Sequence, residues 1–507
     1  MKITDWEIKE GSGTTEVSAA VDGFRLWYRV PGSYPVSRAA DPFVAAALLP
    51  AMRLGQKIEV GPGLTTSPKL LDNLRVLQEI HHCWNRVFKI VPIETRTVPS
   101  PPLQGGVMSF FSGGVDSTYT FLKRQRELTH LAFIQGFDFF VKSGHSETFS
   151  AADLSDLSQL AFKLMSAEDA VSAFLKTRLS AKTSNGLSSY LNSGEVAEGL
   201  EHGLAEDIEK VLAGDKLWNK QRFAGVPLRP ETEDLLKTSR YGEEATRLNR
   251  LLLEDAYPLE IARARSDIYE EAIRRNTKFA ESFGKTLIPI STNHFSFGYR
   301  YNLSRSLTQG SALASVAHIL GFSRVYVPAS YSYDQLAPLG SHPLTDPQWS
   351  NESVQFIHDG ADARRVDKIM KIAENGAALA NLRVCFSDMN SNCGRCSKCM
   401  RTMIALTLLE APTLPFPPLL SLRALRKMRI ANEIERAFLE ENLEAVQGGA
   451  QPELRRALRA VLRRYQRRRL LEDVDSVLLG GLFKKAHRRL TRSGEINIRI
   501  DTAPPGA

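Results

Sequence analysis

Two short segments of this chain carry residue types at spacings suited to chemistry. The first begins with Val107-Met-Ser-Phe-Phe111, an apolar run that reads as a buried strand. Ser112-Gly113-Gly114-Val115-Asp116-Ser117-Thr118 and a helical stretch follow it. Two adjacent glycines let the backbone turn tightly and approach an anion, so that successive amides and the following helix N-terminus can point at a phosphate. Ser112, Ser117 and Thr118 add hydroxyls, while Asp116 can cap the helix or help hold a magnesium ion. The loop has neither the Lys-Ser/Thr pair that closes a Walker loop nor the third glycine of a dinucleotide fingerprint.

The second segment is Cys385-x7-Cys393-x2-Cys396-x2-Cys399, which gathers four of the five cysteines; Cys83 lies apart. Four thiolates can close a tetrahedral zinc site, and the same number can hold an iron–sulfur cluster. Gly394 frees the turn between two ligands, and Cys396 and Cys399 sit about one helical turn apart. Clustering of this kind reads as a metal site before it reads as disulfides.

The elements that must position these segments alternate. Apolar runs at Val107–Phe111, Leu131–Phe137, Thr286–Ser291, Arg324–Pro328 and Leu382–Cys385 are expected as strands. Helical patterns lie between them at Ser117–Glu127, Ile261–Phe283, Gln309–Leu320 and Ala361–Glu374. This is the pattern of an α/β protein with a doubly wound, mostly parallel sheet and ligands at the carboxyl ends of its strands. Residues 1–100 read as an N-terminal α+β domain, with strands in Glu16–Val30 and a helix in Ser67–Phe88, closed by the proline-rich Val98-Pro-Ser-Pro-Pro-Leu103. Residues 105–405 form the expected α/β domain, interrupted by a helical insertion at 145–258. Residues 406–507 form a helical, basic extension.

Across the 507 residues, 65 Lys and Arg face 57 Asp and Glu, a formal charge of +8. The excess sits in the extension: eight arginines lie between Glu453 and Arg469, and five more cations between Lys484 and Arg492. Leu454, Leu458, Val461, Leu462 and Tyr465 mark an apolar stripe among those arginines. The helix is therefore expected to pack on the body, or to bind nucleic acid or an acidic partner. With 43% hydrophobic residues and no apolar run of the ~20 residues a transmembrane helix needs, a cytoplasmic protein without membrane contacts is expected.

Several polar residues are candidates for substrate contact: Asn293 and His294 at the end of the third expected strand, Asp334 beyond the fourth, His342 and Asp346 in a proline-bounded loop, and Lys398 and Arg401 beside the cysteines. His358-Asp359-Gly360 reads as a turn before the next helix. His81-His82-Cys83 reads as a packed or exposed trio, because neighbouring helical residues point different ways.

Ser112-Gly-Gly-Val-Asp-Ser117 resembles the signature of the PP-loop ATP pyrophosphatases, an adenine-nucleotide α-hydrolase-like fold whose members split ATP to AMP and pyrophosphate. The resemblance covers about residues 105–145 and 260–405. It implies that Ser112, Gly113, Gly114, Val115, Asp116, Ser117 and Thr118 bind ATP and the departing pyrophosphate, with Ser112, Asp116 and Ser117 catalytic. Together with Cys393-Gly-Arg-Cys-Ser-Lys-Cys399-Met-Arg401, it resembles the 7-cyano-7-deazaguanine synthase (QueC) family, with one residue fewer between the last cysteine and the arginine. That likeness implies a ligase using ATP, Mg2+ and one structural Zn2+. Such a ligase adenylates the carboxylate of 7-carboxy-7-deazaguanine and transfers it to ammonia or another amine, forming amide or nitrile. The family lacks the N-terminal domain, the insertion and the basic tail. A specialised relative is therefore implied, including one that modifies an acceptor protein in bacterial anti-phage defence. Other readings are a tRNA-thiolating PP-loop enzyme with an iron–sulfur cluster, and a non-enzymatic nucleotide-binding scaffold.

Overall fold

The computed structural model describes residues 1–135, 266–301, 303, 305–385, 391–411, 415–417, 425, 426, 428, 430, 433–445 and 451–478. The expected insertion at 145–258 and the cations at 484–492 lie outside the described residues.

Five long strands form the parallel block of one sheet that carries the glycine loop: β8 (Gln104–Phe110), β9 (His130–Gln135), β10 (Thr286–Thr292), β11 (Phe322–Pro328) and β12 (Gln355–Asp359). They lie in the order β12-β11-β8-β9-β10, so the chain winds outward from β8 in one direction through β9 and β10, then crosses back to pair β11 on the other side. The carboxyl ends of β8 and β11 therefore flank a topological switch point, where open α/β sheets leave a crevice.

Alternation along the strands explains why both faces are covered. Met108, Phe110, Ala132, Ile134, Ile288, Ile290, Val325 and Val327 enter one core. Phe111, Leu131, Phe133, Leu287 and Tyr326 enter a second on the opposite face. The first face is covered by α1 (Asp41–Leu54), α5 (His294–Arg300) and α6 (Arg305–Leu320), the second by α3 (Val115–Arg124), α4 (Ser266–Ser282), α7 (Arg365–Ala373), α8 (Gly376–Asn381) and α9 (Ser397–Leu408). A helix buried nearly all round needs an apolar surface throughout, and Phe43–Met52 of α1 supplies one.

The sheet does not stop at residue 100. β1 (Lys2–Gly11), β2 (Thr14–Val21) and β3 (Phe24–Pro31) form an antiparallel meander, and β3 joins β10 with Ser291 opposite Arg29. Asp22 and Gly23, at φ 52° and 77°, make the two-residue turn between β2 and β3 that suits a twisted hairpin. Beyond β1 lie β4 (Ile58–Val60) and β6 (Ile93–Glu94); β5 (Thr65–Thr66) and β7 (Arg96–Thr97) pair separately. α2 (Pro68–Trp84), capped by Ser67, follows the expected helix. The N-terminal hydrophobic residues share their core with Val325 and Phe356. Asp41 binds Ser67 N, Ser100 Oγ and Asn351 Nδ2, so one buried carboxylate joins three segments. The sheet and the core thus run across the boundary expected at residue 100.

Two local expectations are corrected. Leu382–Cys385 is not a strand: Arg383 N donates to Gly113 O at 2.8 Å and Val384 N to Asn392 Oδ1 at 3.0 Å, so its backbone groups serve loops rather than a ladder. His358-Asp359 is not a turn but the end of edge strand β12, opposite Val327 and Pro328.

Beyond α9, α10 (Glu433–Ala445) and α11 (Pro452–Leu478) pack through a third core. The stripe expected in α11 is buried there, and Arg464 and Arg468 donate to the carbonyls of Arg426, Met428 and Ile430. No helix among the described residues is long and apolar enough to cross a membrane.

Burial also sets an acid sensitivity. Burial pushes His294 from 6.5 down to about 3 and His81 down to about 4. Both bases stay neutral in the fold, while the unfolded chain takes up protons from about pH 6.5, so the unfolded state holds more protons and stability falls as pH falls. Each histidine should cost up to about 1.4 kcal/mol per pH unit below pH 6, with the His81 share fading as pH nears 4. Urea midpoints measured over that range check this, and a flat profile would contradict it.

Candidate functional site

The glycine loop leaves the carboxyl end of β8 at the switch point and opens onto α3. Gly113 has φ 76°, a conformation that favours glycine, and a Cβ there would stand 3.1 Å from Asn276 Oδ1. The loop is ordered by its own serines. Ser112 N donates to Ser117 Oγ at 3.2 Å, Gly114 N to Ser112 Oγ at 3.3 Å, and Ser117 Oγ to Gly114 O at 3.2 Å. Gly114 is the N-cap of α3 and brings no side chain to it, so the first turn keeps its amides available to a ligand. Thr118 Oγ1 is buried without a hydrogen-bond partner among the described residues.

Asp116 stands in the first turn of α3 and is held from α7. Arg365 Nη2 reaches it at 3.0 Å and Lys368 Nζ at 3.2 Å, and Lys368 also donates to Ala329 O, at the end of β11, at 2.7 Å. Burial alone would raise the Asp116 carboxyl, but the charges of Arg365 and Lys368, with Lys398 farther off, hold it below the usual carboxylate range. Lys368 is only 1% exposed; Asp116 is its counterion.

Arg401 lies in the same cluster. It is 6% exposed, and burial, then repulsion from Arg365, pushes its pKa down to about 10, so it remains a cation at neutral pH. Among the described residues no acceptor hydrogen-bonds its guanidinium. Its partner is the Phe438 ring, 4.4 Å from guanidinium to centroid; Arg365 lies over the same ring at 4.9 Å, and Tyr331 stacks against it at 6.2 Å. A desolvated cation–π contact returns about 2 kcal/mol, whereas leaving a charge buried and unpaired costs several. The charges of Glu435 and Asp116 offset part of that cost, and the guanidinium donors stay open to an anionic ligand. Arg365 Nε is buried with no hydrogen-bond partner among the described residues, although Nη2 of the same guanidinium pairs with Asp116.

The four cysteine sulfurs lie within 4.8 Å of one another, and could hold a metal ion such as zinc. Cys385 and Cys396 are 3.8 Å apart, Cys393 and Cys399 4.0 Å; thiolates at about 2.3 Å around one tetrahedral ion stand close to this distance. The centre joins the segment after α8, whose Arg383 N holds Gly113 O, to α9, which carries Lys398 and Arg401.

Of the sequence candidates, the loop residues Ser112, Gly113, Gly114, Val115, Asp116, Ser117 and Thr118 come together with Lys398 and Arg401. The others serve elsewhere. Asn293 accepts from Trp27 N at 3.0 Å and donates to Arg25 O at 2.8 Å, splicing β10 to β3. His294 bonds the Tyr28 hydroxyl at 2.9 Å. Asp346 binds Ser341 Oγ at 2.8 Å and His358 Nδ1 at 2.7 Å, and the His342 ring lies 5.0 Å from Trp84, so these residues order their loop against α2. Asp334 is exposed and pairs with Arg364 at 2.6 Å. His81 is buried, His82 bonds Phe88 O at 2.7 Å and Cys83 is exposed. Sequence reasoning missed Arg365, Lys368, Tyr331 and Phe438; Arg365 and Lys368 stand at i, i+3 in an expected helix, a spacing that puts both on one face.

The chain was compared with protein-family models, with curated proteins and with solved structures, and none matches it.

Proposed function

We propose that the chain is an ATP-dependent carbon–nitrogen ligase of the QueC type, acting on the carboxylate of a 7-deazaguanine such as 7-carboxy-7-deazaguanine. The observation that carries this reading is the glycine loop at the switch point, opening onto the uncapped start of α3 with Arg365, Lys368 and Arg401 gathered at Asp116. A carboxylate becomes an electrophile when its oxygen attacks the α-phosphorus of ATP, forming an acyl-adenylate and releasing pyrophosphate. Negative charge grows on that leaving group, where the loop amides and cations are already arranged, and such preorganised electrostatics is usually the largest catalytic contribution. Ammonia or another amine then attacks the acyl carbon and AMP departs, giving the amide. A second activation of the amide oxygen dehydrates it to the nitrile.

Magnesium would arrive with the nucleotide and be held mainly by its phosphates, with Asp116 as the protein carboxylate available at the loop; bound, it would neutralise phosphate charge. Cys385, Cys393, Cys396 and Cys399 fit zinc. A four-iron cluster takes one thiolate at each iron and needs them apart, so a convergent set supports zinc, and with it the ligase over the thiolation reading. Four thiolates leave zinc no open position, which makes its role structural.

The test is mass spectrometry of an incubation with ATP, magnesium, 7-carboxy-7-deazaguanine and ammonium. Amide or nitrile with AMP and pyrophosphate is expected. AMP without a deazaguanine product would place the acceptor amine on a partner protein. No nucleotide turnover would remove the reading.

A further inference from the structure

The helix α10 belongs to the C-terminal extension, yet one of its faces is built into the site. Phe438, Glu441 and Asn442, at i, i+3 and i+4, are all buried. Glu441 accepts from Arg365 N at 3.0 Å, at the start of α7, and also binds Gln335 Nε2. Asn442 Nδ2 donates to Arg401 O at 3.3 Å. Between these two polar ties sits the Phe438 ring, the shared platform of the Arg365 and Arg401 guanidiniums. Two like charges are thus brought to one ring. Arg365 Nε is buried without an acceptor among the described residues, and the charges of Glu435 and Asp116 act on Arg401 with no hydrogen bond to its guanidinium among the described residues. A single carboxylate offers one two-oxygen edge to one guanidinium; a phosphate chain offers several oxygens and more than one charge, enough for both.

We propose that Arg365 and Arg401 form a receptor for a phosphate chain beside the glycine loop, and that Phe438 is its positioning residue, so that the C-terminal extension completes the nucleotide site. The inference rests on the nucleotide reading above and adds to it the requirement for α10.

The test uses the full chain and inorganic pyrophosphate, titrated calorimetrically, with zinc content and thermal melting as folding controls. Arg401→Gln should weaken binding about thirtyfold, the loss expected for hydrogen bonds to a charged group. Phe438→Leu should weaken it about tenfold, and Phe438→Tyr, which keeps the ring, should restore most of the affinity. In the Arg401→Gln background, Phe438→Leu should cost much less than it does alone, because the ring then has one fewer guanidinium to place; a merely structural Phe438 would cost the same in both backgrounds. Wild-type binding that survives both single substitutions, or additive losses in the double variant, overturns this inference and leaves the nucleotide reading standing. A wild-type chain that binds no pyrophosphate overturns both.

Discussion

Asp116→Asn is expected to reduce ATP–pyrophosphate exchange, measured with the carboxylate substrate present, by about a hundredfold or more. The substitution keeps the size of the side chain and removes its charge. Arg365 and Lys368, at 3.0 and 3.2 Å, then lose the negative charge that holds them at the loop and one of the two oxygens they share, and Lys368, which also donates to Ala329 O, is left as a buried cation without this counterion. Breaking a buried pair by removing one partner typically costs about 3–5 kcal/mol, and misplacing one preorganised donor costs about 10²–10³ in rate. Ser117→Ala should act by a different route. It removes the acceptor of Ser112 N and the donor to Gly114 O, and so loosens the loop itself; exchange should fall while the Asp116 pairs survive. Full exchange in both variants would refute the assignment of this loop to ATP.

The second large effect concerns the cysteines. Purified protein should contain one zinc per chain and no iron. Cys399→Ser, or stripping with a strong chelator, should lower the melting temperature by on the order of 10 °C, since structural zinc contributes its binding energy to folding. The physical reason lies in what the centre joins. Cys399 is fully buried in the second core, and Cys385 follows the segment whose backbone holds Gly113. Losing the ion should therefore unfasten the glycine loop and α9 together, and exchange should fall with stability. A brown, iron-containing protein would favour the thiolation reading instead. Metal-free protein with unchanged melting would remove the centre.

Much of the candidate site was legible because its pieces are local. The loop needs only a strand, two glycines and a helix start, all within about fifteen residues. The cysteine quartet needs only spacing, since a metal enforces convergence on whichever ligands lie near. The doubly wound pattern was legible for the same reason, since alternation within each strand reports two covered faces. The apolar stripe of α11 was readable from period alone, and its burial in the third core followed.

Polar residues whose partners lie far along the chain were a different matter. Asp116 meets Arg365 and Lys368 across 249 and 252 residues, and nothing near either end distinguishes these cations from a solvated helix face. Asn293 looked like a ligand at a strand end and is instead the splice to β3, 266 residues away. Leu382–Cys385 had strand composition, but its amides had closer acceptors in Gly113 and Asn392. By itself, then, the sequence determined the loop, the thiol quartet and the alternation of elements, because short-range geometry and side-chain period suffice for each. Only the tertiary structure decided that the N-terminal meander extends the sheet, that α10 enters the site and that Arg401 is buried beside Arg365. Those facts depend on which distant surfaces exclude water together, and burial is a property of the packed chain.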